Sequence, residues 1–417
     1  MTGGADVSFS ADGTLAAYSC AKRWDLPLPP ETPTIRSRVW VRWCELSRPE
    51  AYHDIEIGVF GRDWGGWNVE NLVHTAFSPD NRYLAVVSPR HLLLIDRETG
   101  EQRTLTHPDE VVTSLTWLDK QQLGFASCTP KTDAGKRSSV VHFWRQRISP
   151  SSSARELILS QERSDRCPDK GLGRHEWPRE RWSPDGSFVL FSTESFPGDL
   201  MLLDVAAGTA RSVALRGFRF EGISWKADGS AAACVGLSRK GSMIAFVIDP
   251  RTGEKVDFSD EFNGAFSEHP TVTAPSLARL WTPDNQFVIV NSLTKGGCLV
   301  KPRPWELIPT SRRFIDRIAR DGSHVLAEDR HERAPWVFWQ PTRGWVRIWV
   351  QFQEQGYRRG MDYLVDHSGR TLVPLNDSSA PGGECWITPD GNRVVTRDRT
   401  NKLVVRQLTV PSLSIEQ

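Results

Sequence analysis

The sequence has no surplus of charge of either sign. Its 417 residues include 52 Lys and Arg against 51 Asp and Glu, a formal net charge of +1. A dedicated nucleic-acid-binding protein normally carries a clear basic excess, so no nucleic-acid partner is expected. No apolar run approaches the roughly 18 residues that a membrane span needs, and no membrane association is expected. The N-terminal MTGGADVSFSADG has neither the basic nor the apolar region of a signal peptide, which predicts a cytoplasmic protein.

Motifs that would indicate an enzyme are also missing. The sequence has no G-x-x-x-x-G-K-[ST] phosphate loop, no G-x-G-x-x-G fingerprint and no G-x-S-x-G nucleophile turn. Its 7 cysteines are scattered without a C-x-x-C pair, which predicts reduced, mostly buried thiols and no structural zinc site. We therefore predict no cofactor and favour a protein that is not an enzyme.

The amino acids that are plentiful favour β-structure. There are 17 Trp and 18 Phe but only 4 Met, together with 32 Gly and 27 Pro. Aromatic residues favour strands, whereas Gly and Pro mark turns. No segment shows a sustained helical periodicity between helix caps, so an all-β fold is predicted.

One short motif recurs along the whole chain, and self-similarity of this kind indicates a repeat architecture. In most copies an aromatic or aliphatic residue is followed by a small residue, then Pro or Ala, Asp, and Gly or Asn. The copies are Phe9-Ser-Ala-Asp-Gly13, Phe77-Ser-Pro-Asp-Asn81, Trp117-Leu-Asp-Lys120, Trp182-Ser-Pro-Asp-Gly186, Trp225-Lys-Ala-Asp-Gly229, Trp281-Thr-Pro-Asp-Asn285, the degenerate Ile318-Ala-Arg-Asp-Gly322, and Ile387-Thr-Pro-Asp-Gly391.

Each copy predicts a tight turn between two strands, which we name A and B. Pro presets one turn residue, and Gly or Asn suits a final residue with positive φ. A second turn, of the type Asp96-Arg-Glu-Thr-Gly100, follows an apolar strand in several units and joins strands C and D. Four antiparallel strands per unit, repeated radially, would form a β-propeller. Eight copies favour eight blades, and seven blades with an inserted hairpin remain the alternative.

These turns resemble the WD-like repeats of TolB-type propellers, which also occur in the propeller domains of prolyl oligopeptidase and dipeptidyl peptidase relatives. The resemblance covers nearly the whole chain and implies a propeller architecture, without implying a function. We predict a single propeller domain over 1–417. Loop insertions are predicted near 20–37, 58–74, 128–139, 161–179 and 258–277, with extra material near 344–383.

All of these insertions are B–C or D–A connections, which leave a blade at the end opposite the A–B and C–D turns. Function tends to lie on loops that a rigid scaffold holds, so this face is the predicted binding surface. Trp64 and Trp67 could form an exposed aromatic platform, or they could pack between blades. The segment Gly173–Arg181 could bind a partner, or it could be a solvated loop with internal ion pairs. Its candidate residues are Arg174, His175, Trp177, Arg179 and Arg181.

The sequence is compatible with three functions. The favoured one is a non-catalytic scaffold or recognition propeller that binds a protein or peptide. The first alternative is a metal-dependent propeller hydrolase or lyase that acts on a small or carbohydrate substrate at the channel mouth, with single ligands such as His175 and His269. The second alternative is a sensor or regulatory propeller that works with a separately encoded enzyme. The sequence does not indicate the oligomeric state.

Overall fold

The computed structural model describes most of the first 266 residues and the strands of the remainder. The described residues are 7–25, 35–60, 73–88, 91–107, 109–133, 136–149, 154–163, 180–193, 198–226, 228–238, 243–266, 276–281, 288–292, 296–302, 304–309, 336–342, 345–354, 357–366, 372–374, 385–388, 392–397 and 402–407. The chain divides into two compact units, Met1–Gly217 and Phe218–Gln417.

The first unit is built from antiparallel strands that pair in chain order. Sheet one contains β1 (Ser8–Phe9), β2 (Leu15–Asp25), β3 (Ile35–Glu45) and β4 (Tyr52–Phe60). Sheet two contains β5 (His74–Phe77), β6 (Tyr83–Val87), β7 (Leu92–Asp96) and β8 (Gln102–Thr104). Sheet three contains β9 (Val111–Asp119), β10 (Gln122–Asp133), β11 (Lys136–Arg147) and β12 (Arg155–Arg163).

Sheet four begins in the first unit with β13 (Glu180–Trp182), β14 (Phe188–Ser192) and β15 (Gly198–Asp204). The 17-residue strand β16 (Thr209–Trp225) continues into the second unit, where its last part pairs with the next strand. The sheet ends with β17 (Ala232–Ser238), β18 (Met243–Ile248) and β19 (Lys255–Asp257).

The rest of the second unit follows the same pattern. After the helix α1 (Ser259–Phe266), sheet five contains β20 (Ser276–Trp281), β21 (Val288–Ser292), β22 (Gly296–Pro302) and β23 (Trp305–Pro309). Sheet six contains β24 (Trp336–Thr342), β25 (Trp345–Glu354), β26 (Tyr357–Asp366) and β27 (Leu372–Pro374). Within the described residues, sheet seven contains β28 (Cys385–Ile387), β29 (Arg393–Arg397) and β30 (Leu403–Gln407). The prediction of an all-β fold with four-stranded antiparallel sheets is confirmed.

Side-chain hydrogen bonds explain why the A–B turn motif recurs. In the turn between β13 and β14, the Ser183 hydroxyl donates to Asp185 Oδ1 at 2.6 Å and accepts from the Phe188 amide at 3.0 Å. Asp185 Oδ1 also accepts from the Ser187 amide at 3.2 Å. Gly186 has φ 70°, the left-handed conformation that the motif predicts. Equivalent bonds form in the turns at Ser10 and Ser78.

The second turn type uses its aspartate differently. Asp96 Oδ1 accepts hydrogen bonds from the amides of Glu98 and Thr99, at 3.0 and 3.3 Å. The Gly100 amide closes the turn by donating to the Asp96 carbonyl, and Gly100 has φ 75°. Asp204 and Asp249 begin turns with the same bonds. Both turn types therefore have a carboxylate that satisfies backbone donors, as the sequence motif suggests.

Apolar faces of neighbouring sheets pack together inside each unit. In the first unit, Val41 of sheet one packs with Leu84 of sheet two, and Phe143 of sheet three packs with Phe191 of sheet four at a ring-centroid distance of 4.8 Å. In the second unit, Ala245 of β18 belongs to a buried cluster with residues of sheet five and α1. These cores make the sheets a rigid support for their connections.

Three predicted insertions need correction. The segment 128–139 is mostly paired strand, because β10 and β11 continue in register to Asp133 and Lys136. The segment 258–277 begins with α1, whose Phe262 is fully buried beside Phe258. The segment 344–383 supplies β25, β26 and β27 of an ordinary four-stranded sheet, and is therefore not extra material. The prediction of one domain over 1–417 stays a prediction.

The turn predicted at the seventh copy of the repeat stays a prediction. The strands β24 and β25 are joined at 343–344, whereas Ile318–Gly322 lies outside the described residues. In the described part of the chain, no helix is long and apolar enough to cross a membrane.

Candidate binding surface

The strand order gives each sheet two different ends. We call the end that carries the A–B and C–D turns the turn end, and the end that carries the B–C and D–A connections the connection end. In the first unit, three connections leave and enter strands at the connection end. Segment 26–34 joins β2 to β3, segment 61–72 joins β4 to β5, and segment 164–179 joins β12 to β13. The connection end is the surface on which the sequence predicts partner binding.

A buried ion pair joins the two strands that border the segment 164–179. Arg163 is the last residue of β12 and Glu180 is the first residue of β13. The Arg163 Nη2 atom lies 2.8 Å from Glu180 Oε1, and the two side chains are only 3% and 1% exposed. The two strand ends that border segment 164–179 are therefore joined by two charged side chains that are almost completely shielded from solvent.

The surroundings of this pair are polar but incompletely hydrogen-bonded. Ser139 pairs with Arg163 in the register of β11 and β12. Ser139 Oγ, Arg163 Nε and Glu180 Oε2 are buried and have no hydrogen-bond partner in the part of the chain that the structure describes. Buried polar atoms usually have partners, so three unsatisfied atoms around one ion pair are unusual.

A second arginine–carboxylate pair lies at the start of β9, the first strand of sheet three. Glu110 immediately precedes β9, and Arg155 begins β12. The two guanidinium nitrogens of Arg155 lie 2.6 and 2.8 Å from the carboxylate oxygens of Glu110, a bidentate geometry that favours strong pairing. Burial alone would raise the pKa of Glu110, but the bonds from Arg155 and the His107 amide outweigh it and lower that pKa.

The same arginine stacks on an aromatic ring. The Arg155 guanidinium carbon is 3.5 Å from the centroid of the Trp144 ring. The Trp144 indole donates to Ser127 Oγ at 2.8 Å, which fixes the ring against β10. Glu110, Arg155 and Trp144 thus form a fixed charged cluster, in which Glu110 ends the D–A connection between sheets two and three and Arg155 follows the C–D turn of sheet three.

His142 lies beside this cluster and is held by two hydroxyl groups. Its ring nitrogens are 3.2 Å from Thr129 Oγ1 and 2.8 Å from Ser160 Oγ. Burial lowers the pKa of His142, and the nearby Glu110 carboxylate acts in the opposite direction. A neutral imidazole held between two hydroxyl groups serves as a structural link between β10, β11 and β12.

Only one predicted partner-binding residue falls within the described residues. Arg181 is the second residue of β13 and is half-buried. The other six, together with His269, lie outside the described residues: Trp64, Trp67, Arg174, His175, Trp177 and Arg179. Their contribution to a site stays a prediction.

The cysteines differ from the expectation in one respect. Cys20, Cys44 and Cys234 are free and buried, as predicted. Cys128 is disulfide-bonded. The expectation of reduced thiols was wrong at this position, because the spacing of cysteines in a sequence does not reveal which thiols the fold brings within bonding distance. Among the described residues, no group of three or more His, Cys, Asp and Glu could hold a metal ion.

Neither arginine–carboxylate pair was predicted from the sequence. Glu180 stood inside the segment that was singled out, but its partner Arg163 lies on the far side of the connection. Glu110 and Arg155 are still further apart along the chain. One feature of the sequence could have indicated the second pair. Glu110 stands directly before an apolar strand, and an acidic residue that is buried there needs a cationic partner.

No family model and no curated protein matches the sequence. Solved structures do show similarity. A chain of the mitotic checkpoint complex is 14% identical with a TM-score of 0.44, and the match covers 81% of this chain and 87% of that chain. An acylaminoacyl peptidase of Pyrococcus horikoshii is 13% identical with a TM-score of 0.47, covering 95% of this chain and 57% of that chain.

TolB of Acinetobacter baumannii is 11% identical with a TM-score of 0.33, covering 86% of this chain and 79% of that chain. TolB is also the family whose repeats the turns of this chain resemble. This chain spans little more than half of the peptidase chain.

Proposed function

We propose that this chain is an eight-bladed β-propeller that acts as a non-catalytic platform for a protein or peptide partner. Within the described residues, sheet four counts as two four-stranded units that share β16, and sheet seven supplies three strands of a last unit. Together with the other five sheets, this arrangement supports eight blades, the number that the eight copies of the repeat favour.

The proposed binding surface is the connection end of the sheets. Its contact residues are proposed to be Trp64, Trp67, Arg174, His175, Trp177, Arg179 and Arg181. Trp and Arg are enriched among the residues that dominate binding energy in protein interfaces. The observation that carries the proposal is the buried Arg163–Glu180 pair, because it fixes both ends of the segment that contains most of these residues. Fixed ends lower the ordering cost that a binding loop pays.

Variants at the two ends of the sheets test this proposal. The chain and its variants are used as affinity baits, and each recovered protein is purified and titrated against the chain by calorimetry. We expect Trp64→Ala, Trp67→Ala and Arg179→Ala each to weaken binding by about 1–2 kcal/mol or more. The matched controls Arg48→Ala and Arg251→Ala, which remove exposed cations at turns, should leave binding unchanged.

The opposite pattern would overturn the proposal. If the control variants weaken binding and the three connection-end variants do not, the partner binds elsewhere. Metal analysis of the purified protein addresses the alternative of a metal-dependent hydrolase or lyase: one equivalent of bound metal that requires His175 would favour that alternative.

The cytoplasmic location is also a proposal. It is the expectation from the sequence, whereas the Cys128 disulfide favours an oxidising compartment. Mass spectrometry of the protein from unbroken cells, trapped with an alkylating reagent before lysis, distinguishes the two. Cys128 as a free thiol supports the cytoplasm, and Cys128 in a disulfide contradicts it.

A further inference from the structure

A second candidate site lies at the turn end, away from the proposed partner-binding surface. A cleft of about 350 Å³ opens between the turn ends of sheets two and three. Small-molecule sites begin at about this size. Its lining consists of Asp80, Arg82, Tyr83, Gln121, Arg147, Ile148 and Ser149.

The walls of the cleft are fixed by hydrogen bonds within the protein. The Ile148 amide donates to the Gln121 carbonyl at 2.7 Å, and the Ser149 carbonyl accepts from Arg103 Nη1 at 2.8 Å. Tyr83 and Ile148 are almost fully buried and form an apolar floor. The backbone walls and the apolar floor of the cleft are therefore preorganised.

The charged groups of the lining differ in how far they are already neutralised. Arg82 lies 3.0 Å from Asp96 and 3.6 Å from Glu98, so its charge is compensated. Asp80 Oδ1 accepts from the Ser78 hydroxyl at 2.6 Å and from the Arg82 amide at 3.2 Å. Arg147 is exposed and makes no ion pair or side-chain hydrogen bond within the described residues.

This combination selects a particular ligand chemistry. An uncommitted guanidinium is suited to a carboxylate, which it can bind through two parallel hydrogen bonds. The neighbouring Asp80 carboxylate would repel a simple anion but accepts hydrogen bonds from hydroxyl groups, and the Gln121 amide can both donate and accept. We propose that this cleft binds a small carboxylate that also carries hydroxyl groups, with the ligand carboxylate on Arg147 and its hydroxyl groups toward Asp80 and Gln121.

Calorimetric titration of the full chain tests this site, with gluconate as the probe. Three compounds serve as comparisons. Acetate has the carboxylate without the hydroxyl groups, and glucose has the hydroxyl groups without the charge. Capped glutamate presents the carboxylate of a protein side chain in place of a free small molecule. We expect gluconate to bind at least about tenfold more tightly than any of the three, and Arg147→Gln to weaken gluconate at least about tenfold. Gln121→Ala should weaken it by a smaller factor. Because only the backbone of Gln121 supports the fold, this variant leaves the walls intact.

The exposed Arg251→Gln is the matched control and should bind gluconate as the wild type does. No measurable gluconate binding at millimolar concentration would overturn the proposal, as would equal binding by Arg147→Gln. Capped glutamate binding as tightly as gluconate would also overturn it and would indicate an acidic side chain of a partner protein. The cleft and the connection end share no residue, so either proposal can fail without the other.

Discussion

Arg163 and Glu180 form a 2.8 Å ion pair across a connection of sixteen residues, and both side chains are almost completely shielded from water. Moving two charges out of water is costly, and a single Nη2–Oε1 contact with several unsatisfied atoms around it recovers only part of that cost. The pair is therefore better explained by the position that it imposes on the strand ends than by a large net stabilisation. If so, removing one charge of the pair should lower the free energy of unfolding more than removing both charges together.

Glu180→Gln should destabilise the protein by about 3–5 kcal/mol, because it leaves the buried Arg163 charge uncompensated. Chemical denaturation of the wild type and variant measures the difference. The control is Glu162→Gln, which breaks the exposed Lys131–Glu162 pair of the same 2.8 Å length and should cost less than about 1 kcal/mol. The double variant Arg163→Met with Glu180→Met should be more stable than Glu180→Gln and more stable than Arg163→Met alone, because it leaves no uncompensated buried charge. Equal losses for Glu180→Gln and Glu162→Gln would contradict this account.

Ser183→Ala should cost about 1–2 kcal/mol, because it removes a donor to Asp185 and leaves the buried Phe188 amide without its acceptor. Thermal unfolding of the variant measures the loss. Ser47→Ala is a suitable control, since the exposed Ser47 makes only a 3.5 Å contact with Glu45. If the two variants unfold at the same temperature, the hydroxyl does not hold the turn.

The turn aspartates should make the protein acid-sensitive. Burial acts to raise the pKa of Asp185, but hydrogen bonds from Ser183 and Ser187 outweigh it, so the pKa is lowered. For Asp228 the Ser230 amide is the main cause of a lowered pKa. A lowered pKa in the folded state means that the stabilisation is complete above the unfolded value near 4 and is lost as pH falls through the folded value.

Asp185→Asn isolates one of these groups, because it keeps an oxygen acceptor but does not titrate. The wild type should exceed this variant in melting temperature at pH 7, and the difference should shrink as the pH is lowered through 4 toward 2. Differential scanning calorimetry across this range provides the measurement. A difference that stays constant with pH would show that Asp185 has no lowered pKa.

The free cysteines should be unreactive until the protein unfolds. Burial raises the pKa of Cys44 to about 11, and burial also raises the pKa of Cys234, so little thiolate is present at neutral pH. Iodoacetamide should modify Cys20, Cys44 and Cys234 only in denaturant. Cys128 should remain unmodified in denaturant until a reductant is added. Rapid modification of Cys44 in the native protein would contradict the structure.

Much of the fold could be predicted because its signal is local. The Asp–Gly turns carry their own hydrogen-bond partners within five residues, as Ser183 and Asp185 show. The helix α1 was missed because eight residues give too short a periodicity, and its position depends on bonds between Asn263 and Met243 of β18.

The charged clusters of the candidate site could not be predicted for the opposite reason. Arg155 and Glu110 are 45 positions apart, and their contact depends on the register of β11 with β12 and on the packing of sheet three. Residue types alone marked the segment 173–181 as unusual. They did not reveal that Glu180 turns into the core while Arg181 remains half-buried.

Hydrogen–deuterium exchange with and without a purified partner tests the central claim most directly, because it compares both ends of every sheet in one experiment. The account predicts slower exchange on binding in peptides that cover 61–72 and 164–179, and no change in the turns at 78–82, 96–100 and 183–187. Protection confined to those turns, with unchanged exchange in 61–72 and 164–179, would contradict it.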